Sequence, residues 1–250
     1  MDLQLAGKTA LVTGASAGIG RGIAKRLAAE GVLVVAVARR RQLLDSLAAE
    51  IENEGGRPPS VIVQDVTEAD AAERLLDGIG QLHGRLDILV NNAGGSQATT
   101  LETPNADWDA RMLLNYTRPR ELTHAFLPGM ISANWGRVIN ITGIGEPRNL
   151  NATLPAKAAM HSWSKGLSRE VGRYGVTVNC IAPGRIVSDQ ARRDFTAETM
   201  REFSEGEIPI GRFGNADELA VFAAFLASPL AGYITGTVLA VDGGFSRFQH

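Results

Sequence analysis

Six short apolar runs, each followed by a stretch with helical spacing and then a seventh run, constrain this chain more than any other feature of it. The runs fall at residues 9–13, 32–38, 61–63, 86–90, 137–141, 176–182 and 237–241. Between them, residues 18–30, 42–54, 68–83, about 108–132, about 155–174 and 217–227 carry apolar side chains at a period near 3.6. Strands that are apolar along their whole length, not at alternate positions, belong to parallel sheets covered on both faces. The pattern therefore predicts an α/β fold: a single-domain, Rossmann-like doubly wound sheet of about seven parallel strands with helices on both faces. A chain of 250 residues is long enough for one such core. No repeat, low-complexity tract or linker divides it, so residues 1–250 read as one domain. Residues 185–210 are the one long, charged, weakly periodic insertion, and their place after a strand predicts a lid over a site.

Charge and cysteine usage exclude several functions. A formal net charge of −2 gives no electrostatic basis for binding nucleic acid or an anionic membrane. No apolar run reaches the roughly 20 residues needed to span a bilayer. The start of the chain lacks the basic-then-apolar layout of a signal peptide, so cytoplasmic residence is expected. The single cysteine, Cys180, rules out an internal disulfide and reads as a buried structural thiol. No metal-ligand spacing is present.

The first strand runs into Thr13-Gly14-Ala15-Ser16-Ala17-Gly18-Ile19-Gly20, which opens the first helix. Glycines there let the backbone turn tightly and approach a pyrophosphate, while the helix N-terminus offers N–H groups and a positive dipole end. An acidic residue at the end of the second strand would bind the ribose 2′-hydroxyl of NAD. Here the sequence has Ala38-Arg39-Arg40-Arg41, and a guanidinium suits a 2′-phosphate by charge and geometry. The expected cofactor is NADP(H), in preference to NAD(H).

The Gly-x3-Gly-x-Gly spacing resembles that of the short-chain dehydrogenase/reductase family, and the resemblance runs through nearly the whole chain. Asp65-Val66 resembles the family's adenine-contacting pair, and Asn91-Asn92-Ala93-Gly94 its signature after the fourth strand. Asn115 stands at its helix asparagine, Pro183-Gly184-Arg185-Ile186-Val187-Ser188 at its nicotinamide loop, and Val241-Asp242-Gly243-Gly244 at its C-terminal ending. The resemblance implies cofactor contacts from Gly14, Ser16, Ala17, Gly18, Ile19, Gly20, Arg39, Arg40, Asp65, Val66, Asn91, Ala93, Gly94, Lys157, Pro183, Gly184, Ile186 and Ser188. Ala17 departs from many NADP-preferring relatives, which carry a second basic residue in the glycine loop. The resemblance also implies a small-molecule substrate and a homotetramer or homodimer, and the ending Phe245-Ser246-Arg247-Phe248 is compatible with an interface.

The family's mechanism uses a tyrosine, a lysine four residues later, a serine and an asparagine. Lys157 and Asn115 match. The tyrosine position holds Thr153, the serine position holds Gly143 with Thr142 before it, and the loop between them is short. Lys157, Asn115, Thr153, Thr142 and Glu146 are therefore the catalytic candidates, with Lys157 relaying through Asn115 and water as the leading replacement acid and Glu146 the next. His161, one turn beyond Lys157, reads as a packed helix histidine; His83, His124, Tyr116 and Tyr174 read as structural. The expected activity is NADP(H)-dependent oxidoreduction of a small carbonyl or alcohol with a non-standard proton donor. Two alternatives are a non-redox lyase or isomerase using Lys157 or Glu146 as base, and a catalytically silent NADP-binding protein. Arg192, Arg193 and Arg201, interspersed with Asp189, Asp194, Glu198 and Glu202, read as a solvated mixed-charge face; an acidic or CoA-linked substrate is the alternative use for them.

Overall fold

A computed structural model describes residues 1–143, 149–188, 191 and 195–247. Glu146 lies outside the described residues, as do Asp189, Arg192, Arg193, Asp194 and Phe248. Seven parallel strands form one sheet in the order β3-β2-β1-β4-β5-β6-β7. They are β1 Thr9–Thr13, β2 Leu33–Ala38, β3 Ser60–Val63, β4 Ile88–Asn91, β5 Gly136–Ile141, β6 Val176–Pro183 and β7 Val238–Val241. The order reverses between β1 and β4, which opens a crevice at the carboxyl ends of those strands.

The helices are α1 Gly18–Ala29, α2 Arg41–Asn53, α3 Ala71–His83, α4 Asn105–Met112, α5 Arg118–Ser132, α6 Thr153–Val171, α7 Ala197–Glu207 and α8 Ala216–Ala227. Alternate strand residues feed two separate cores. Ala10, Val12, Val34 and Ile139 pack with Ile23 and Leu27 of α1, Leu44 and Leu47 of α2, and Leu219 of α8. Leu11, Val35, Val37 and Val138 pack on the other face with Leu75 and Ile79 of α3 and Leu122 and Phe126 of α5. Both faces are dry, which is why these strands read as continuous apolar runs.

Two elements differ from the sequence expectation. The single helix expected over about 108–132 starts at Asn105 and is interrupted by a π turn at Leu113–Thr117. Pro119 has no N–H to give the carbonyl of Asn115, and a wider register, with Arg118 N–H bonded to the Leu113 carbonyl, takes up the gap. Within 185–210 lies a full helix, α7, whose start is fixed by a reciprocal Thr196–Thr199 capping box. It packs with Phe195, Phe213 and Phe245 in a third, small core around Ile208, Met200 and Phe203.

Candidate active site

The crevice has two joined lobes. One, of about 420 Å³, is lined by Gly14, Ser16, Ala17 and Gly18, by Arg39 and Arg40, and by Asp65 and Val66. The other, of about 380 Å³, is lined by Thr142, Gly143, Thr153, Lys157, Pro183 and Gly184, among others. Ile19, Asn92, Gly94, Ile186 and Ser188 border both.

The first lobe is built for an extended anion. Gly14 sits at φ +68°, and a Cβ there would lie 2.8 Å from the Asn92 amide nitrogen. At Gly20 a Cβ would collide with the same amide and with the Gly14 carbonyl. Asn92 donates to the carbonyls of Thr13 (2.9 Å) and Gly14 (3.3 Å), so it braces the glycine turn from below. No side chain caps the first turn of α1 at Ala17, which leaves its N–H groups to the crevice. At the far end, Arg40 donates to the Ser16 hydroxyl at 3.2 Å, which ties the end of β2 to the glycine loop. Arg39 reaches Asp65 at 3.6 Å. The Thr67 N–H and hydroxyl both donate to Asp65 and hold its carboxyl below the usual range. A pyrophosphate on the α1 turn and a phosphate between Ser16 and Arg40 fit these groups.

The second lobe gathers the groups with acid–base potential. Lys157 projects from the first turn of α6 and donates to the Ile141 carbonyl at 2.8 Å. Burial pushes its ammonium down to about 8. A Cβ on Gly94 would lie 2.9 Å from the Asn115 side-chain oxygen and 3.3 Å from Lys157 Nζ, so the glycine is what lets lysine, asparagine and backbone converge. Asn115, buried on the π turn, donates to the carbonyls of Arg111 (3.0 Å) and Gly95 (3.4 Å).

The other candidates are placed less favourably for proton donation. The Thr153 hydroxyl donates to the Gly95 carbonyl at 3.0 Å. The Thr142 hydroxyl donates to the Ile181 carbonyl at 3.1 Å and lies 2.8 Å from His161 Nε2. His161, one turn beyond Lys157, therefore reaches a residue that borders the lobe and does not run away from it. Gly143 presents no side chain where a polarising hydroxyl would stand.

Three placements were not foreseen. The Asn91 amide faces the interior, donating to Asn140 (2.8 Å) and Thr123 (3.0 Å), so its neighbour Asn92 is the asparagine that borders both lobes. Gly20 lies inside α1 and acts through the room it leaves for Asn92. Arg185, which follows Pro183-Gly184, also lines the second lobe and had been read only as part of a motif.

This combination of switch-point crevice, glycine turn and crevice-lining lysine defines a class of nicotinamide-dependent α/β oxidoreductases. A family model described as enoyl-(acyl carrier protein) reductase matches residues 14–246. The chain belongs to the short-chain dehydrogenase/reductase family. It is 37% identical over 243 residues to the 3-oxoacyl-[acyl-carrier-protein] reductase FabG of Haemophilus influenzae, covering 95% of this chain and 98% of that one. Its structure resembles L-sorbose reductase from Gluconobacter frateurii complexed with NADPH and L-sorbose, with TM-score 0.94, 30% identity and all of both chains covered. It also resembles the Pseudomonas aeruginosa RhlG/NADP active-site complex, with TM-score 0.89, 36% identity and 98% of each chain covered. No described helix is long and apolar enough to cross a membrane.

Proposed function

We propose that this chain is an NADP(H)-dependent oxidoreductase of a small carbonyl or alcohol substrate in which Lys157 takes the place of the absent tyrosine as proton donor. The observation that carries this is the Lys157 ammonium itself: half-buried in the wall of the second lobe, beside Gly94 and Asn115, and shifted by desolvation to about 8. Thr153 and Thr142, the neighbouring hydroxyls, both give their protons to backbone carbonyls. A general acid works best with a pKa near the working pH, and an ammonium near 8 is far better matched than a threonine hydroxyl.

When bound, NADPH supplies the hydride. Lys157 hands its proton to the substrate oxygen, and the Ile141 carbonyl holds the ammonium in line. Asn115 orders the Gly95 segment behind it and stands ready to pass a replacement proton through water. Ser16 and Arg40 favour NADPH over NADH through the 2′-phosphate. Residues 185–210 close over the reacting groups as a lid. A small-molecule partner, a homotetrameric assembly and a cytoplasmic setting complete this reading.

The sign of the pH dependence tests it. Carbonyl reduction needs the charged lysine, so kcat should be flat below about pH 7 and fall as pH rises through about 8. Alcohol oxidation needs the neutral amine and should rise over the same range. An unperturbed lysine would place both limbs near 10.4. Lys157→Ala should cost ~10²–10⁴ in kcat and remove the limb near 8. NADPH binding, followed by nicotinamide fluorescence, separates that loss from a failure to hold cofactor. Full kcat in Lys157→Ala would sink the proposal.

A further inference from the structure

The buried stripe of α6 consists of Thr153, Ala156, Met160, Ser164, Ser168 and Val171. Most of these side chains are small or flexible, so apolar packing does little to fix the helix's rotation or height against the sheet. Ser164 is instead held by polar contacts. The Asn140 amide on β5 donates to the Ser164 hydroxyl at 2.9 Å, and the Cys180 thiol on β6 donates to the same oxygen at 3.3 Å. Asn140 in turn accepts from the Asn91 amide of β4 at 2.8 Å. Asn91 also donates to the Thr123 hydroxyl of α5 at 3.0 Å, and Thr123 donates to the Pro119 carbonyl at 2.7 Å. All five side chains are buried.

This run of hydrogen bonds crosses the central strands β4, β5 and β6, and each end lies near a catalytic candidate. Pro119 follows the π turn that carries Asn115, and Ser164 stands two turns beyond Lys157 on the same side of α6. Asn140 directly precedes Ile141, whose carbonyl accepts from Lys157. Hydrogen bonds in dry surroundings are costly to leave unmade, so a connected run of them selects one arrangement of the elements it joins. We propose that Asn140 and Ser164 are positioning residues for Lys157: by fixing the register of α6 against β5 they hold the lysine on the Ile141 carbonyl and beside Asn115. Their catalytic importance rests on Lys157 being the proton donor. Around the lysine, Cys180 is kept neutral by burial, which pushes its thiol up to about 11. His161 lies one turn further along α6 against Thr142, and Arg111 of α4 lies behind Gly95. Loss of register opens the lysine to water, and with less desolvation its ammonium titrates higher.

The chain has four lysines, so carbon-13 labelling of lysine lets the Lys157 ε-carbon be titrated by NMR, with Lys157→Ala giving its assignment. In the wild type it should titrate near 8. Ser164→Ala should move that midpoint up by roughly half a unit or more, toward the ordinary ~10.4, and lower kcat on the order of tenfold. Ser164→Thr, which keeps the hydroxyl, should titrate as the wild type does. Val171→Ala, on the same stripe but outside the hydrogen-bond run, controls for lost stability and should leave the midpoint in place. An unmoved midpoint in folded Ser164→Ala, or an equal move in Val171→Ala, would overturn the positioning role. A moved midpoint in a protein that reduces no carbonyl upholds it while the redox reading fails.

Discussion

A phenol at position 153 would project past the Gly95 carbonyl that the Thr153 hydroxyl satisfies, and shortening it to threonine turns an acid into a brace for the loop. Lys157 and Asn115 were legible as candidate site residues through their match to the family's lysine and helix asparagine, and both come together at Gly94. The division of labour within Asn91-Asn92 was not, because strand β4 ends between core and crevice and only coordinates show which amide turns which way. Arg185 was hidden for a different reason. Its guanidinium lies over Phe195, Phe203 and Phe245, and Phe245 is distant in sequence and joins the other two only in the third core. Cofactor choice also belongs at this scale. Arg40→Ala should weaken NADPH binding by roughly tenfold and leave NADH binding within a factor of about two, since one charge-assisted contact to a phosphate is removed. Fluorescence titration with both nucleotides measures the difference, and an equal loss for both would remove Arg40 from that role.

Helices α1, α2, α3 and α8 were readable to within a few residues because each presents a continuous apolar stripe to one face of the sheet. The π turn was not, since a single proline inside a helical pattern leaves either a kink or a change of register open. Helix α7 was missed because its sequence, Ala-Glu-Thr-Met-Arg-Glu-Phe-Ser-Glu-Gly-Glu, is mostly polar and its only fully buried residue is Ser204. Its capping threonines were the available signal. Few buried contacts and an exposed capping box predict low local stability. Amides of α7 should exchange with solvent well before those of β1, β4 and β5, and NADP⁺ should slow them if the segment closes as a lid. Hydrogen exchange read by mass spectrometry checks both; protection of α7 equal to that of the central strands would count against a lid.

At the level of the whole molecule, the fold class followed from the alternation of runs, while the surface did not. Strand β7 forms one edge of the sheet, with Val238 36% exposed and no charged residue along Val238–Val241. Nearby in sequence, Val221 and Leu230 are about half exposed and Tyr233 is fully so. Unprotected apolar edges of this kind are usually covered by another chain. The protein should run as a homo-oligomer in light scattering, and Leu230→Asp with Tyr233→Glu should shift it toward smaller species at unchanged fold; a monomeric wild type would refute this. The third core has a consequence of its own. The glycine turn is anchored in the cores that sandwich the sheet, whereas the rings beneath Arg185 stand on a small cluster with its own packing. The two ends of the crevice thus rest on different packing. Either could be redrawn, by evolution or by design, without erasing the other.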